Sequence, residues 1–303
     1  RTAVNNIPGI PDARNGGNYA EPLPQASISY NITKNDQIYV NGMTSFKAPD
    51  RSEAYLDMWD ANANQAVLNH TANMKPEYAI GEEIGFRHNG LFHIAAALFN
   101  YNITNHDVMS QGYTSGTLVT VPMEVGGQTI RGAQIEFGLR PWHHFSPYLS
   151  GSYVNARTDS NISEDGTYLP TKGKQSVNTP AFTGSVGLSY DDGRFFGNFA
   201  LNYIGRRYTT FMNDESIPGY LMADITAGYR MKTMHINKFS LYRPQFQLNF
   251  MNLGNNVYYG QASSISMAAH NTVGLNGKVV PGSSPQYNIG GGFAMSGTIT
   301  VGF

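Results

Sequence analysis

Over residues 293–303 apolar and polar positions alternate almost without error: Phe293, Met295, Ile299, Val301 and Phe303 fall on one side, Ala294, Ser296, Thr298 and Thr300 on the other. Successive strand residues point to opposite faces, so this run has one apolar face and one small polar face. Sustained over such a length, it describes a strand that crosses a hydrocarbon layer beside a wet lumen. The same logic returns upstream. Phe246, Leu248 and Phe250 alternate with Gln245, Gln247 and Asn249; Leu221, Ala223, Ile225, Ala227 and Tyr229 alternate with Asp224, Thr226, Gly228 and Arg230. Phe195, Phe199, Leu201 and Tyr203 alternate with Asn198, Ala200 and Asn202. Earlier apolar faces are Phe182, Val186, Leu188 and Tyr190; Phe145, Leu149 and Tyr153; Ala133, Ile135, Phe137 and Leu139; and Ala95, Ala97, Phe99, Tyr101 and Ile103. Tyr78, Ile80, Ile84 and Phe86, then Ile38, Val40 and Phe46, then Ile28, Tyr30 and Ile32 complete the set. The pattern predicts eleven strands of an all-β, antiparallel transmembrane β-barrel.

Connection lengths alternate as well. Short links fall at residues 33–36, 88–90, 141–144 and 191–194, with a somewhat longer one at 232–242. Long segments occupy residues 48–75, 105–127, 158–176, 206–217 and 256–289. Short periplasmic turns alternating with long extracellular loops is the connection pattern of outer-membrane barrels, and a soluble sandwich has no reason to keep that order. Phe303 then lies on the periplasmic side. An odd strand count leaves two backbone edges unpaired in lipid, so the expectation is the C-terminal part of a larger barrel. Residues 1–23, rich in Pro, Gly and Asn, read as the remnant of one more outer loop. Glu82 breaks the pattern on the face of Ile80, Ile84 and Phe86; either a bulge shifts the register, or Glu82 sits near the membrane edge.

Composition narrows the function classes. Charged residues make up 14% against roughly 25% in a typical soluble protein, which suits a wall with one face in lipid. A net charge of -1 offers no basic stripe for nucleic acid. The absence of Cys excludes a disulfide scaffold and thiolate metal sites. The longest nearly apolar stretch, residues 91–99, is far short of the about 20 residues of a spanning helix and contains His93. The chain begins at Arg1 without a secretory signal, and an exported barrel needs one, so an upstream segment is expected.

Ser45-Phe46-Lys47-Ala48-Pro49-Asp50, Lys75-Pro76-Glu77 with the strand that follows it, residues 131–136 and residues 249–258 form four motifs that, in this order, resemble elements of the TonB-dependent outer-membrane receptors, siderophore receptor type. Ser45-Phe46-Lys47-Ala48-Pro49-Asp50 is similar to the family's Ser-Phe-Arg-Ala-Pro element, and Lys75-Pro76-Glu77 with Glu83-Ile84-Gly85-Phe86-Arg87 to its Lys-Pro-Glu and Glu-Leu-Gly-Leu-Lys strand. Arg131-Gly132-Ala133-Gln134-Ile135-Glu136 resembles Arg-Gly-Val-Glu-Leu-Glu. Residues 249–258 resemble an Asn-Leu-Phe-Asp-Lys-x-Tyr element, departing from it at Gly254 and Asn255. The resemblance implies that residues 1–303 are the C-terminal half of a barrel of about 22 strands, with the N-terminal plug and early strands absent. It implies active uptake of a scarce ligand, first a ferric siderophore, driven by the TonB complex acting on the N-terminal region. It also implies residence in the outer membrane of a Gram-negative bacterium, and recognition of the terminal Phe303 by the barrel-assembly machinery. Outer-membrane lipid would surround the wall. A passive porin, or TonB-dependent uptake of cobalamin, haem or glycans, are the alternatives. Asp50-Arg51-Ser52-Glu53 after the Ser-Phe-Lys-Ala-Pro element weakens the haem reading.

Binding a bulky anionic iron complex calls for aromatic rings, hydrogen-bond donors and positive charge on the outer loops. Trp59, Tyr113, Arg206, Arg207, Tyr208, Phe211, Tyr258 and Tyr259 meet that description; Tyr208 and Tyr258, close to strand ends, also suit an aromatic girdle. His70, His106 and His270 lie in three outer loops, where solvated side chains explain them without a metal, and no cofactor is implied. His93 is the one strand His near a lipid face, and no Ser and acidic residue fall beside it at a catalytic spacing, so no enzyme is expected. The glycines at 126–127 and 290–292 precede strands and lack the Lys-Ser/Thr of a phosphate loop.

Overall fold

The computed structural model describes the chain apart from residues 1, 5–13, 17–18, 49–55, 61–64, 70–74, 115–116, 237–238 and 303. No helix among the described residues is long and apolar enough to cross a membrane. The wall is built of β1 (Gln25–Asn31), β2 (Asp36–Lys47), β3 (Glu77–Asn89), β4 (Phe92–Thr114), β5 (Thr117–Leu139) and β6 (Phe145–Thr158). It continues through β7 (Phe182–Asp191), β8 (Phe195–Ile204), β9 (Tyr220–Arg230), β10 (Phe239–Met251) and β11 (Ala294–Gly302). Each strand pairs antiparallel with the next, in an unbroken meander. These are the eleven strands that the alternation predicts; a short strand, Met234–Ile236, adds to one end of β10. Among the described residues β1 pairs only with β2 and β11 only with β10, so each leaves one backbone edge open.

Register fixes which side chains share a face. Ile28 pairs with Val40, Val40 with Ile84 and Ile84 with Leu98; Ile135 pairs with Gly151, and Leu149 with Val186, which pairs with Leu201. Ile28 is 75% exposed, and Ile84, Leu98, Ile135, Val186 and Leu248 are also open to the surroundings. An outward surface made of such residues is a surface for hydrocarbon. Aromatic pairs mark both of its margins: Phe145 with Tyr190 and Phe195 with Tyr229 toward the short turns, Tyr153 with Phe182 toward the long loops. From Phe145 to Tyr153 the strand covers about 26 Å at about 3.3 Å per residue, enough to span most of the apolar layer when tilted.

The inward face is a ladder of small polar groups. Ser185 donates to Asn202 at 2.7 Å, Ser189 to Asn198 at 3.0 Å, Thr226 to Asn249 at 3.1 Å, and Asn249 to Ser296 at 3.3 Å. Aromatic rings on this face lie across glycines of the neighbouring strand. Tyr39 covers Gly85 and Tyr148 covers Gly187, each so closely that a Cβ would collide with the ring. The Arg87 guanidinium lies over the Tyr39 ring, 4.2 Å from its centroid.

The structure corrects the reading of one strand. Leu98, with Ile94 and Ala96, faces lipid, while Ala95, Ala97, Phe99, Tyr101 and Ile103 face the lumen. Both sides of residues 91–99 are apolar, so alternation could not choose; pairing with Ile84 and Ile135 does. Phe99 and Tyr101 turn inward because Gly132 and Gly81 leave room for their rings. His93 goes with them to the lumen side, its Nδ1 2.6 Å from Asn89 Oδ1. The bulge at Glu82 is also excluded: β3 pairs without a break from Glu77 to Asn89, and Glu82 faces outward between Gly42 and Asn100. Residues 105–114 and 117–127 are not irregular loop but the paired extensions of β4 and β5, which shift register between Ile103 and Asp107, where Asn105 has φ 52°.

The short turns are tightly bonded. In one, Asp192 accepts the backbone N–H groups of Arg194 and Phe195 around Gly193, whose φ of 89° suits glycine. In another, hydrogen bonds from Thr33 and then His88 hold the Asp36 carboxyl below the ordinary carboxylate value.

Candidate functional site

On the side of the long loops the chain builds a second structure. Hairpins Ile162–Glu164/Thr167–Leu169, Arg207–Tyr208/Ser216–Ile217, Tyr259–Ser264/Gln286–Ile289 and Thr272–Val273/Val279–Val280 rise from three connections. They lock together through backbone bonds: Met212 N–H to Met267 O at 2.9 Å and Leu275 N–H to Tyr168 O at 2.9 Å. Asn side chains substitute for backbone. Asn178 gives and takes a bond with Ala262, each 3.0 Å, and Asn213 does the same with Gln175 at 2.8 and 2.7 Å. Val125, Ile162, Leu169, Phe211, Met267 and Val280 form the apolar core of this cap.

Asn252 anchors the final loop. Its side chain donates to Asn256 O and Gly291 O and accepts the Asn256 N–H, while Asp224 accepts its own N–H. Asn255 Oδ1 accepts the Phe293 N–H at 2.9 Å. Both asparagines have positive φ, 51° and 47°, which Asn tolerates better than most residues. The Asn-Leu-Gly-Asn-Asn element singled out in the sequence is therefore a clip that closes the base of the loop.

The candidate binding residues separate into two groups. Phe211 is 4% exposed and belongs to the cap core. Arg207 is 6% exposed; it donates to the carbonyls of Tyr259 and Gly260, and its Nε has no hydrogen-bond partner among the described residues. Its guanidinium lies 5.5 Å from the centroid of Tyr220, which stacks on Tyr258 at 4.2 Å. Tyr220 shares the face of Met222 and Asp224, so this stack stands on the lumen side of the mouth, not in a lipid girdle. Arg206 is exposed and donates to the Tyr208 hydroxyl at 3.2 Å. Tyr259 is open and packs on Tyr287 at 5.2 Å. Burial first, then a hydrogen bond to Glu215, pushes the Tyr287 hydroxyl up to about 12.

The mouth thus presents Arg206, Tyr208 and Tyr259 on a scaffold of Arg207, Tyr220, Tyr258 and Tyr287. Sequence reasoning missed Tyr220, which pairs with Ile204, and Tyr287, which pairs with Ala262 and packs its ring on Tyr259; their place at the outer ends of alternating runs was the available signal. Trp59 stands in the hairpin Leu56–Asp60/Gln65–Asn69 and Tyr113 near the tip of the β4–β5 extension. Their side chains, with His70 and Phe303, lie outside the described residues. His106 pairs with Glu77 at 2.7 Å and His270 with Asp214 at 3.4 Å, so these two do not converge. Beneath the cap a cavity of about 280 Å³ opens between Ile130, Val154 and Ala156 of the wall and Val177, Phe211 and Ile265 of the loops.

No curated protein sequence matches the chain. Its fold is shared with the siderophore receptor PiuA from Acinetobacter baumannii (19% identity, TM-score 0.65, covering 97% of this chain and 37% of that one). It is shared also with the ferric yersiniabactin uptake receptor FyuA from Yersinia pestis (16% identity, TM-score 0.63, 96% and 39%). The ferric citrate transporter FecA in its unliganded form gives 19% identity and a TM-score of 0.61, with 95% and 40% covered. The chain therefore spans well under half the length of these structures, and at such identities the likeness speaks for the fold. The sequence profile "TonB dependent receptor-like, beta-barrel" matches residues 2–253. With the meander, the apolar outer face and the polar lumen in place, the chain belongs to the TonB-dependent receptor β-barrel family, whose members are transporters and not enzymes.

Proposed function

We propose that residues 1–303 form the C-terminal part of the barrel of a Gram-negative outer-membrane receptor that takes up a ferric siderophore with energy delivered through TonB. The open edges of β1 and β11 support the barrel assignment, since strands from elsewhere in a barrel of about 22 would satisfy their backbone groups in lipid. TonB acts through an N-terminal region, and the assembly machinery reads Phe303. The observation that carries the ligand reading is the arginine and tyrosine cluster at the lumen side of the mouth. Positive charge and flat rings held on a rigid cap suit a bulky anionic complex of catecholate type.

Arg206 is the cleaner probe, because Arg207 also holds the last loop in place. In the full-length receptor, Arg206→Ala weakens binding of the ferric complex several-fold at low ionic strength and much less at high salt, where screening already shortens the reach of the charge. The iron-free chelator binds poorly throughout. Equal failure across a panel of ferric siderophores, with uptake of cobalamin or a glycan instead, overturns the reading.

A further inference from the structure

The outer face of the wall stays apolar as far as Tyr153 and Phe182, whose ring centroids are 4.9 Å apart. Next outward on the same face of β6 come Asn155 and Arg157. Register carries this polar step sideways. Asn155 pairs with Arg131, Arg131 with Asn100 and Asn100 with Glu82; one step farther out, Arg157 pairs with Thr129 and Thr129 with Asn102. Directly paired residues share a face, so the whole band looks away from the lumen.

Its two guanidiniums are held only by neutral oxygens. Arg131 donates from Nε to Asn100 Oδ1 at 3.0 Å. Arg157 donates from Nε to Asn155 Oδ1 at 2.8 Å and from Nη1 to Gly173 O at 2.6 Å. Both are exposed, and among the described residues neither is ion-paired. Bonds between Thr158 and the backbone of Gly173 and Lys174 hold the next loop against the same strand end, bringing exposed Lys172 close. Among the described residues two carboxylates are on this face: Glu82, at the far end of the band, and Asp159, which accepts the Thr129 hydroxyl at 2.9 Å. Around Arg131 and Arg157 the cations prevail.

Each side-chain bond positions a fork of N–H groups while leaving further donors for an incoming ligand, and the fork matches phosphate oxygens. We infer that Arg131 and Arg157, with Asn100, Asn155 and Lys172, form a docking site on the outside of the wall for the phosphorylated headgroup of an outer-leaflet glycolipid. Charge complementarity selects the phosphate. Continuity with the apolar band below selects a lipid over a free anion, because acyl chains attached to that headgroup fall against Tyr153, Phe182 and Leu149. The site faces away from the mouth and does not depend on which ligand the receptor imports.

The test is native mass spectrometry of the full-length receptor in detergent, titrated with lipid A carrying both phosphates and with dephosphorylated lipid A. The bisphosphorylated form binds about 10-fold more tightly, as two charge-assisted contacts allow. Arg131→Gln with Arg157→Gln abolishes the preference, and the double Lys variant retains much of it. Heat-modifiable gel migration reports whether each variant folds, and the two-lipid comparison in the unaltered protein stands regardless. Equal affinity for the two lipids, an undiminished preference in a folded double Gln variant, or displacement by millimolar inorganic phosphate overturns the site.

Discussion

The wall and its outer cap are made by the same chain under opposite solvent conditions. The wall has scarcely any buried apolar core: Val186 and Leu248 remain about half exposed, and lipid is the medium that would cover them. The cap, which stands in water, has to make its own interior, and Ile162, Leu169 and Val280 are almost fully enclosed. A hydrophobic side chain therefore means different things on either side of the Tyr153–Phe182 margin. Below it, the residue is a solvated surface; above it, a packed one whose shape matters.

Matched truncations sharpen that contrast. Phe211→Ala in the cap loses transfer energy and leaves a cavity, about 3–5 kcal/mol in total. It appears as faster hydrogen exchange at residues 162–169 and 265–280 with wall exchange unchanged. Phe182→Ala in the wall forfeits only transfer energy, roughly 2 kcal/mol, because lipid closes over the gap; equal losses at the two sites would break the comparison. Between these in size is Val186→Arg at mid-wall, at about 2–4 kcal/mol, measured by urea unfolding in bilayers. The same change at Ser185, whose side chain faces the lumen and bonds Asn202, is much milder.

The smallest effect is pH-dependent. Burial alone would raise the Asp214 carboxyl, but the Thr210 hydroxyl and the N–H groups of Ala269 and His270 outweigh it and hold the group below its ordinary 3.8. A depressed folded value stabilises the cap fully above the ordinary value, and that stability is lost as pH falls through the folded one. Cap exchange in Asp214→Asn is then less dependent on pH below about 4 than in the unaltered protein. An identical acid response in both would remove Asp214 as the cause.

Strand existence was legible in the sequence because lipid on one side and water on the other impose period two on each crossing segment. Alternation carries no orientation where that contrast vanishes, as on β4, whose two faces are both apolar and whose orientation is set by pairing and by glycines on neighbouring strands. The candidate binding residues were chosen by type and place. What the sequence could not show is that Arg207 and Phe211 are committed to the cap interior, whereas Arg206 and Tyr259 stay exposed. That division depends on contacts between loops far apart in the chain, such as Arg207 with Tyr259 or Asn178 with Ala262. The motif at Asn252 carried weight as a family mark, and its physical work as a clip appears only with the folded loop.

The rings laid over Gly85 and Gly187 also set the clearance of the passage they line. A tyrosine standing upright would project its full length into the bore; flattened onto a neighbour without a side chain, it takes almost nothing from the cross-section. The glycines act as recesses in the wall, and alanine at 187 would swing the Tyr148 ring toward the axis. How wide the space inside the wall stays is therefore decided as much by the side chains that are missing as by those that are present.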